Sequence, residues 1–349
     1  NVQITRDGGV TWTNVRDQVP GLPEETWIGN IEASPTEAGA AFMAVDNHRL
    51  DDFTPHLYET RDYGQTWRDI SGGLPQDDYV KVVRQHPSNP DLLFVGMERG
   101  LYGSWDRGDT WVDIRGNLPR VSVRGIKIQR QYNDLVIGTH GRGAWILDDI
   151  QPMVELTEAV GKDAHLFDIR MATEWEMWSR GSNLGQSGFA GTNPQGGAWI
   201  HFYLSEAAAE SVGREGVPVR ITDSSGTLVR EITHRNARAG VNRAIWNLQW
   251  AGAEPIPGQQ QGGGGFFGRF GGGGPRAVPG TYTATVVVNG QELSGDFQLR
   301  GDPNVGASQA VYTERFTAAM RARDLETRLN QMVGTIIDLN GQIGGLLDD

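Results

Sequence analysis

Apolar positions in the first 150 residues come in short runs broken by clusters of Gly, Pro, Asn and Asp, as in Trp67–Ile70, Val80–Gln85, Leu92–Met97 and Leu101–Ser104. Runs of this length, rich in Val, Leu and aromatics, predict β-strands, because a helix needs roughly ten or more residues to bury a face. After residue 164 strand composition resumes in Trp199–Leu204, Val217–Thr222, Leu228–Thr233, Asn242–Leu248, Gly280–Val288 and Leu293–Leu299. Asp223-Ser-Ser-Gly226 and Asn289-Gly290 read as hairpin turns between them. From Ser308 the period changes to that of a helix. Leu325, Leu329, Met332, Ile336, Leu339, Ile343 and Leu346 alternate spacings of four and three, the a/d seam of a coiled coil. Gly334, Gly341, Gly344 and Gly345 weaken this helix in isolation, which calls for a packing partner, either a second arm of the same chain or another copy.

Within the first 150 residues one box occurs three times: Thr5-Arg-Asp7-Gly-Gly9-Val-Thr11-Trp12, Thr60-Arg-Asp62-Tyr-Gly64-Gln-Thr66-Trp67 and Ser104-Trp-Asp106-Arg-Gly108-Asp-Thr110-Trp111. Its aspartates are 55 and 44 residues apart, and Gly21-Leu-Pro23, Gly73-Leu-Pro75 and Asn117-Leu-Pro119 keep step with them. An Asp carboxylate accepts backbone N–H bonds in a tight turn, Gly supplies the positive φ that closes it, and Trp offers a large apolar face. The box therefore reads as a hairpin staple. Four short strands per repeat, counted from Trp67, match the period of a propeller blade. Leu135–Trp145 matches Leu93–Tyr102 with one extra turn residue, so a further, degenerate repeat ends near Asp149.

These boxes resemble the Asp-box (BNR) repeat superfamily, which includes sialidases, xyloglucanase-type glycoside hydrolases, sortilin-type receptors and photosystem assembly factors. The segment Gly138–Asp149, followed by a sandwich-like region, is similar to large bacterial secreted proteins described as glycosyl-hydrolase-like BNR or sortilin-like. The resemblance implies a mainly β chain. Residues 1–150 would be about three four-stranded blades, followed by a linker at 151–164. An immunoglobulin-like β-sandwich at 165–303, with a Gly-rich loop at 258–274, and a C-terminal amphipathic helical segment at 304–349 complete it. It also implies further N-terminal blades in the same protein and a secreted, periplasmic or cell-surface location. Sortilin-type receptors carry a Cys-rich module, and this chain has no Cys; a sialidase-type arginine triad cannot be assigned either.

Charge narrows the partners. With 31 Lys and Arg against 43 Asp and Glu, the 349 residues carry a net charge of −12, which argues against nucleic acid. No apolar run reaches the roughly 18 residues a membrane helix needs. The seven His show no metal-ligand spacing and no nucleophile motif is present, so neither metal nor cofactor is expected.

Alternation of strands sets the box turns on one rim and a second group of loops on the other. Asp7, Asp62 and Asp106, with Gly9, Gly64, Gly108, Trp12, Trp67 and Trp111, are assigned to structure. The opposite rim carries Glu24, Glu25, Trp27, the insertion 47–55, Gln76–Tyr79, Glu98, Arg99, His140 and Arg142. Trp27, His48, Arg49, Tyr79, Arg99, His140 and Arg142 are the candidate ligand-binding residues, for a carbohydrate or protein ligand. Glycoside hydrolysis needs two carboxyls roughly 5 to 9.5 Å apart, and Glu25, Asp77, Asp78 and Glu98 are the candidates for it. The alternative for these acids is an ordinary solvated loop. A third reading is a structural assembly module acting through the Leu325–Leu346 seam.

Overall fold

The computed structural model describes residues 1–176, 191, 193–257 and 273–347. Residues 177–190 and 192, nearly all of the Gly-rich loop at 258–274, and the Leu346 side chain lie outside the described residues. The chain divides into two compact units, Asn1–Thr157 and Glu158–Asp349.

The first unit is a series of antiparallel meanders. Strands β1 (Gln3–Ile4) and β2 (Thr13–Asn14) form a two-stranded pair. Strands β3 (Ile28–Ala33), β4 (Ala41–Val45), β5 (His56–Thr60) and β6 (Arg68–Asp69) form a four-stranded sheet in chain order. Strands β7 (Val80–Gln85), β8 (Leu93–Met97), β9 (Leu101–Ser104) and β10 (Val112–Asp113) repeat it, and β11 (Val123–Gln129), β12 (Asp134–Thr139) and β13 (Ala144–Leu147) make a three-stranded version.

The sheets stack face to face with a core between each neighbouring pair. In β4, Phe42 and Ala44 enter one core while Met43 and Val45 enter the other. In β8, Leu93, Val95 and Met97 face one way and Phe94 faces the other. This two-sided burial explains why these strands are continuous apolar runs instead of alternating ones. Each fully buried Leu, Val or Phe contributes about 1.5–3 kcal/mol. Gly96 permits the close stacking, since a Cβ there would meet Val123 Cγ1 at 2.6 Å.

The pairing corrects the expected grouping of strands. Trp67–Ile70 does not open a repeat: β6 pairs with β5 and closes the preceding sheet, so the second and third boxes join the third and fourth strands of a sheet, while the first joins β1 to β2. Part of the stretch 151–164 has local structure of its own. It folds into α1 (Gln151–Val154) and α2 (Leu156–Ala159), because Met153 and Val154 pack on the last core and the Met153 carbonyl accepts a 2.6 Å bond from Trp105 Nε1.

The second unit holds two sheets around one core. Strands β14 (Ala164–Leu166), β15 (Ala172–Glu174), β16 (Ala198–Leu204), β17 (Val217–Asp223), β18 (Leu228–His234), β19 (Gly240–Trp246), β20 (Gly280–Val288) and β21 (Gln291–Gly301) are arranged as β14-β16-β19 and β15-β21-β20-β17-β18. The β15–β21 pair is parallel and the others are antiparallel. Ile200, Phe202, Ala244 and Trp246 from one sheet meet Val219, Ile221, Ala284 and Val286 from the other. Asn289 and Gly290 both take positive φ, 50° and 81°, the conformation of a two-residue hairpin turn. A short helix α3 (Glu206–Val212) follows β16, capped by Ser205, whose side chain accepts the Ala208 N–H.

Helix α4 (Gln309–Leu347) runs unbroken for 39 residues. One of its faces docks: Arg315 forks onto Glu174 at 2.9 Å, Phe316 sits 5.3 Å from Trp250, and Thr327 and Asn330 bond the Glu254 backbone. Gly334 belongs to that docked face, since a Cβ there would strike Pro257 at 2.6 Å. The seam residues Leu325, Leu329, Met332, Ile336, Leu339 and Ile343 stay exposed.

Candidate functional site

The three boxes share one hydrogen-bond pattern. The leading hydroxyl of Thr5, Thr60 or Ser104 donates to the Asp and accepts the N–H of Gly9, Gly64 or Gly108 at 2.7–2.9 Å. The Asp carboxylate then accepts the backbone N–H and hydroxyl of Thr11, Thr66 or Thr110. These bonds hold the Asp7 carboxyl down at about 2, the Thr11 hydroxyl contributing most. Two adjacent residues take positive φ in each turn, including the non-glycines Tyr63 and Arg107, where the sequence reading places only the Gly there. The tryptophans diverge: Trp67 is buried, Trp111 is half-buried with Nε1 bonded to the Ile70 carbonyl, and Trp12 is 58% exposed because no described sheet covers it.

In the four-stranded sheets the box joins strands three and four, so the start of strand one and the loop between strands two and three lie at the opposite end of the sheet. A cleft of about 290 Å³ opens there, lined by Trp27, Gly29, Asp46, His48, Arg49, Lys81 and Arg124. Trp27, just before β3, is 61% exposed, and the Arg49 guanidinium carbon stands 5.4 Å from its ring. A 3-10 turn at His48–Leu50 ends on Asp51 in the left-handed region and presents His48 and Arg49.

Beneath the cleft the groups form one linked set. Asp46 pairs with Lys81 Nζ at 2.8 Å and with His48 Nδ1. Burial works against an ionised Asp46, but Lys81 and His48 hold its carboxyl below the usual range. His48 stacks on Tyr79 with centroids 4.7 Å apart, and Lys81 lies 4.2 Å from the same ring. Glu98 is 3.7 Å from Lys81 and accepts the Ser122 hydroxyl at 2.8 Å. Burial, then the charge of Glu98, pushes the Tyr79 phenol up to about 12.

The structure thus brings together Trp27, His48, Arg49, Tyr79 and Glu98. It sets the others aside from this cleft. Glu25 is exposed and does not line it. Arg99 is engaged by Asp77 at 2.9 Å and by Asp78, which is 3% exposed, accepts the Arg99 N–H at 3.0 Å, and has its carboxyl raised by burial. His140 and Arg142 are exposed on the β12–β13 turn, and the His140 N–H bonds the Ser122 carbonyl. Sequence reasoning missed Asp46, Lys81 and Arg124. The signal was available, since Lys81 is a lone charge in the apolar run Val80–Val83 and Asp46 ends the run Ala41–Val45. A charge placed there implies a buried partner.

No protein-family model and no curated protein matches the chain. Among solved structures, similar ones are β-propeller-type proteins at low identity. PorZ, a surface component of the type-IX secretion system of Porphyromonas gingivalis, is 13% identical over 78% of this chain and 30% of that one, with a TM-score of 0.26. The GH74 xyloglucanase of Xanthomonas campestris is 14% identical over 79% of this chain and 37% of its own, with a TM-score of 0.28. YCF48 from Cyanidioschyzon merolae is 13% identical over 82% of this chain and 88% of its own, with a TM-score of 0.24. The chain therefore spans about a third of the length of the first two. Superpositions this loose transfer neither residues nor activity.

Proposed function

We propose that the first unit is part of an Asp-box β-propeller, secreted or held in the cell envelope, and that the Trp27 cleft binds a carbohydrate or protein ligand without transforming it. Four-stranded meanders stacked through shared cores, each stapled by a box, support the propeller reading. Export follows from the resemblance of the boxes and of Gly138–Asp149 to secreted proteins. The observation that carries binding is Trp27: an exposed indole edged by Arg49, above a floor in which the acids Asp46 and Glu98 already have partners. An aromatic platform with fixed polar groups beside it suits the face of a sugar ring or an aromatic or charged peptide side chain. Calorimetric titration of glycan and peptide panels against wild type and Trp27→Ala tests this. Binding lost in Trp27→Ala at unchanged melting temperature supports it, whereas binding to none, or binding indifferent to Trp27, overturns it.

For the second unit the reading is an immunoglobulin-like sandwich. Its support is the two-sheet core and a Tyr282 hydroxyl that bonds the Val278 carbonyl four residues upstream at 2.8 Å, as in a tyrosine corner.

One observation favours a second role, self-assembly through α4. The seam residues are exposed while the opposite face is docked, so the seam has no partner among the described residues. Seam layers that alternate four and three are complementary to themselves, which makes a second copy of α4 the occupant. Covering them removes on the order of 1,000 Å² of surface, the lower end of what stable interfaces use.

A further inference from the structure

The second unit contains a cleft of about 480 Å³ whose walls are His201, His234, Arg235, Arg238, Asn242 and Arg243. It forms where the chain passes from β18 to β19, edge strands of different sheets. The crossing loop, residues 235–239, is fixed from below by Asn242, which is 5% exposed. The Asn242 amide donates to the carbonyls of Arg238 at 2.7 Å and Gly240 at 3.0 Å, and its oxygen accepts the Arg238 N–H at 3.0 Å. With three bonds satisfied, Asn242 holds the backbone that carries Arg235 and Arg238. Arg243 is held separately, its guanidinium carbon 4.2 Å from the Trp199 ring, on the residue paired in register with His201.

Several arginines of the chain are matched to acids: Arg84 to Glu32, Arg107 to Glu37 and Glu59, Arg276 and Arg315 to Glu174. Among the described residues no carboxylate pairs with Arg235, Arg238 or Arg243. Three uncompensated guanidiniums around one concavity, in a chain of net charge −12, make a local positive field. Burial, then the charges of Arg243 and Arg170, pushes the His201 imidazole down to about 4, so the ring is neutral near pH 7 and the charge of the cleft belongs to the arginines.

We propose that this cleft is a binding site for an oxyanion, a carboxylate, sulfate or phosphate group on a hydrophilic ligand. Guanidinium forks match the geometry of such groups and bind them through paired charge-assisted hydrogen bonds. Val241 is the one aliphatic side chain in the lining, which selects against apolar ligands. The site is independent of the Trp27 cleft.

The test is calorimetric titration of the full 349-residue chain at low salt with trigalacturonate, a sulfated heparin tetrasaccharide and inorganic pyrophosphate, with maltotriose as the neutral control. At least one anion binds, maltotriose does not, and the anion that binds identifies the source of the oxyanion. Arg235→Gln and Arg238→Gln, both exposed loop positions, each weaken that binding about tenfold at unchanged melting temperature, and Trp27→Ala leaves it unaltered. Absence of binding by all three anions overturns the proposal. So does an affinity unchanged in the Arg238→Gln/Arg243→Gln double variant.

Discussion

The Lys81 ammonium lies 2.8 Å from the Asp46 carboxylate, and this single contact joins the loop after β4 to the first strand of the next sheet. Both side chains are nearly buried, 11% and 9% exposed, so neither can turn to water when its partner is removed. Lys81→Met leaves Asp46 with His48 as its remaining partner and costs about 3 kcal/mol, while Asp46→Asn together with Lys81→Met recovers much of it. The sign of the pH dependence follows from the depressed Asp46 carboxyl. A folded value below the unfolded one adds stability above about pH 4, which is lost as pH falls through the folded value. Urea unfolding at pH 7 and pH 3 measures this, and Asp46→Asn flattens that part of the profile.

The boxes make a second prediction, concerning stability alone. Gly108 has φ +90° and a Cβ there would sit 2.9 Å from Ile70, whereas at Gly9 the nearest atom is 3.8 Å away, in Trp12. Gly108→Ala therefore costs more than Gly9→Ala, because strain and overpacking add at the first and only strain acts at the second. Asp106→Ala removes the bonds to Thr110 and Ser104 and costs about 2 kcal/mol. Thermal unfolding of the three variants checks the order.

The sheet architecture was legible because its signals are local. The box names its own turn, and runs such as Leu93–Met97 name strands buried on both faces. Phase was harder to read: whether Trp67–Ile70 opens or closes a sheet depends on pairing with β5, which no local pattern encodes. The cleft was half legible. Trp27, His48 and Arg49 stand on a rim that strand alternation defines, but Lys81 and Arg124 reach it from the first strands of two later sheets, 54 and 97 residues after Trp27. The Asn242 staple was not legible at all, since an Asn in a strand shows its carbonyl partners only once the loop is built.

Self-assembly through α4 makes a prediction of its own. Met332 is 63% exposed at the middle of the seam, so Met332→Lys leaves the folded monomer intact. In the wild type, sedimentation equilibrium gives a mass that rises with concentration; in Met332→Lys it stays at 38.2 kDa. A wild type that is monomeric up to high micromolar concentration removes this role.

Asp78 decides between binding and hydrolysis in the first unit. Burial raises its carboxyl, the direction a general acid needs, but a proton donor must also reach the glycosidic oxygen. Asp78 is 3% exposed, and its oxygens face the Arg99 backbone at 3.0 Å and the Arg99 Nε at 3.6 Å. A folded value raised by burial adds stability only below the ordinary carboxylate value and loses it as pH rises through the folded one, so ionised Asp78 is a burden near pH 7. Asn keeps the acceptor for the Arg99 N–H without the charge. Asp78→Asn is therefore as stable as the wild type or more so at pH 7, with the difference shrinking toward pH 3, and it leaves ligand binding at Trp27 unchanged. Release of new reducing ends from a glycan by the wild type, abolished in Asp78→Asn while binding persists, would put a glycoside hydrolase in place of the binding protein.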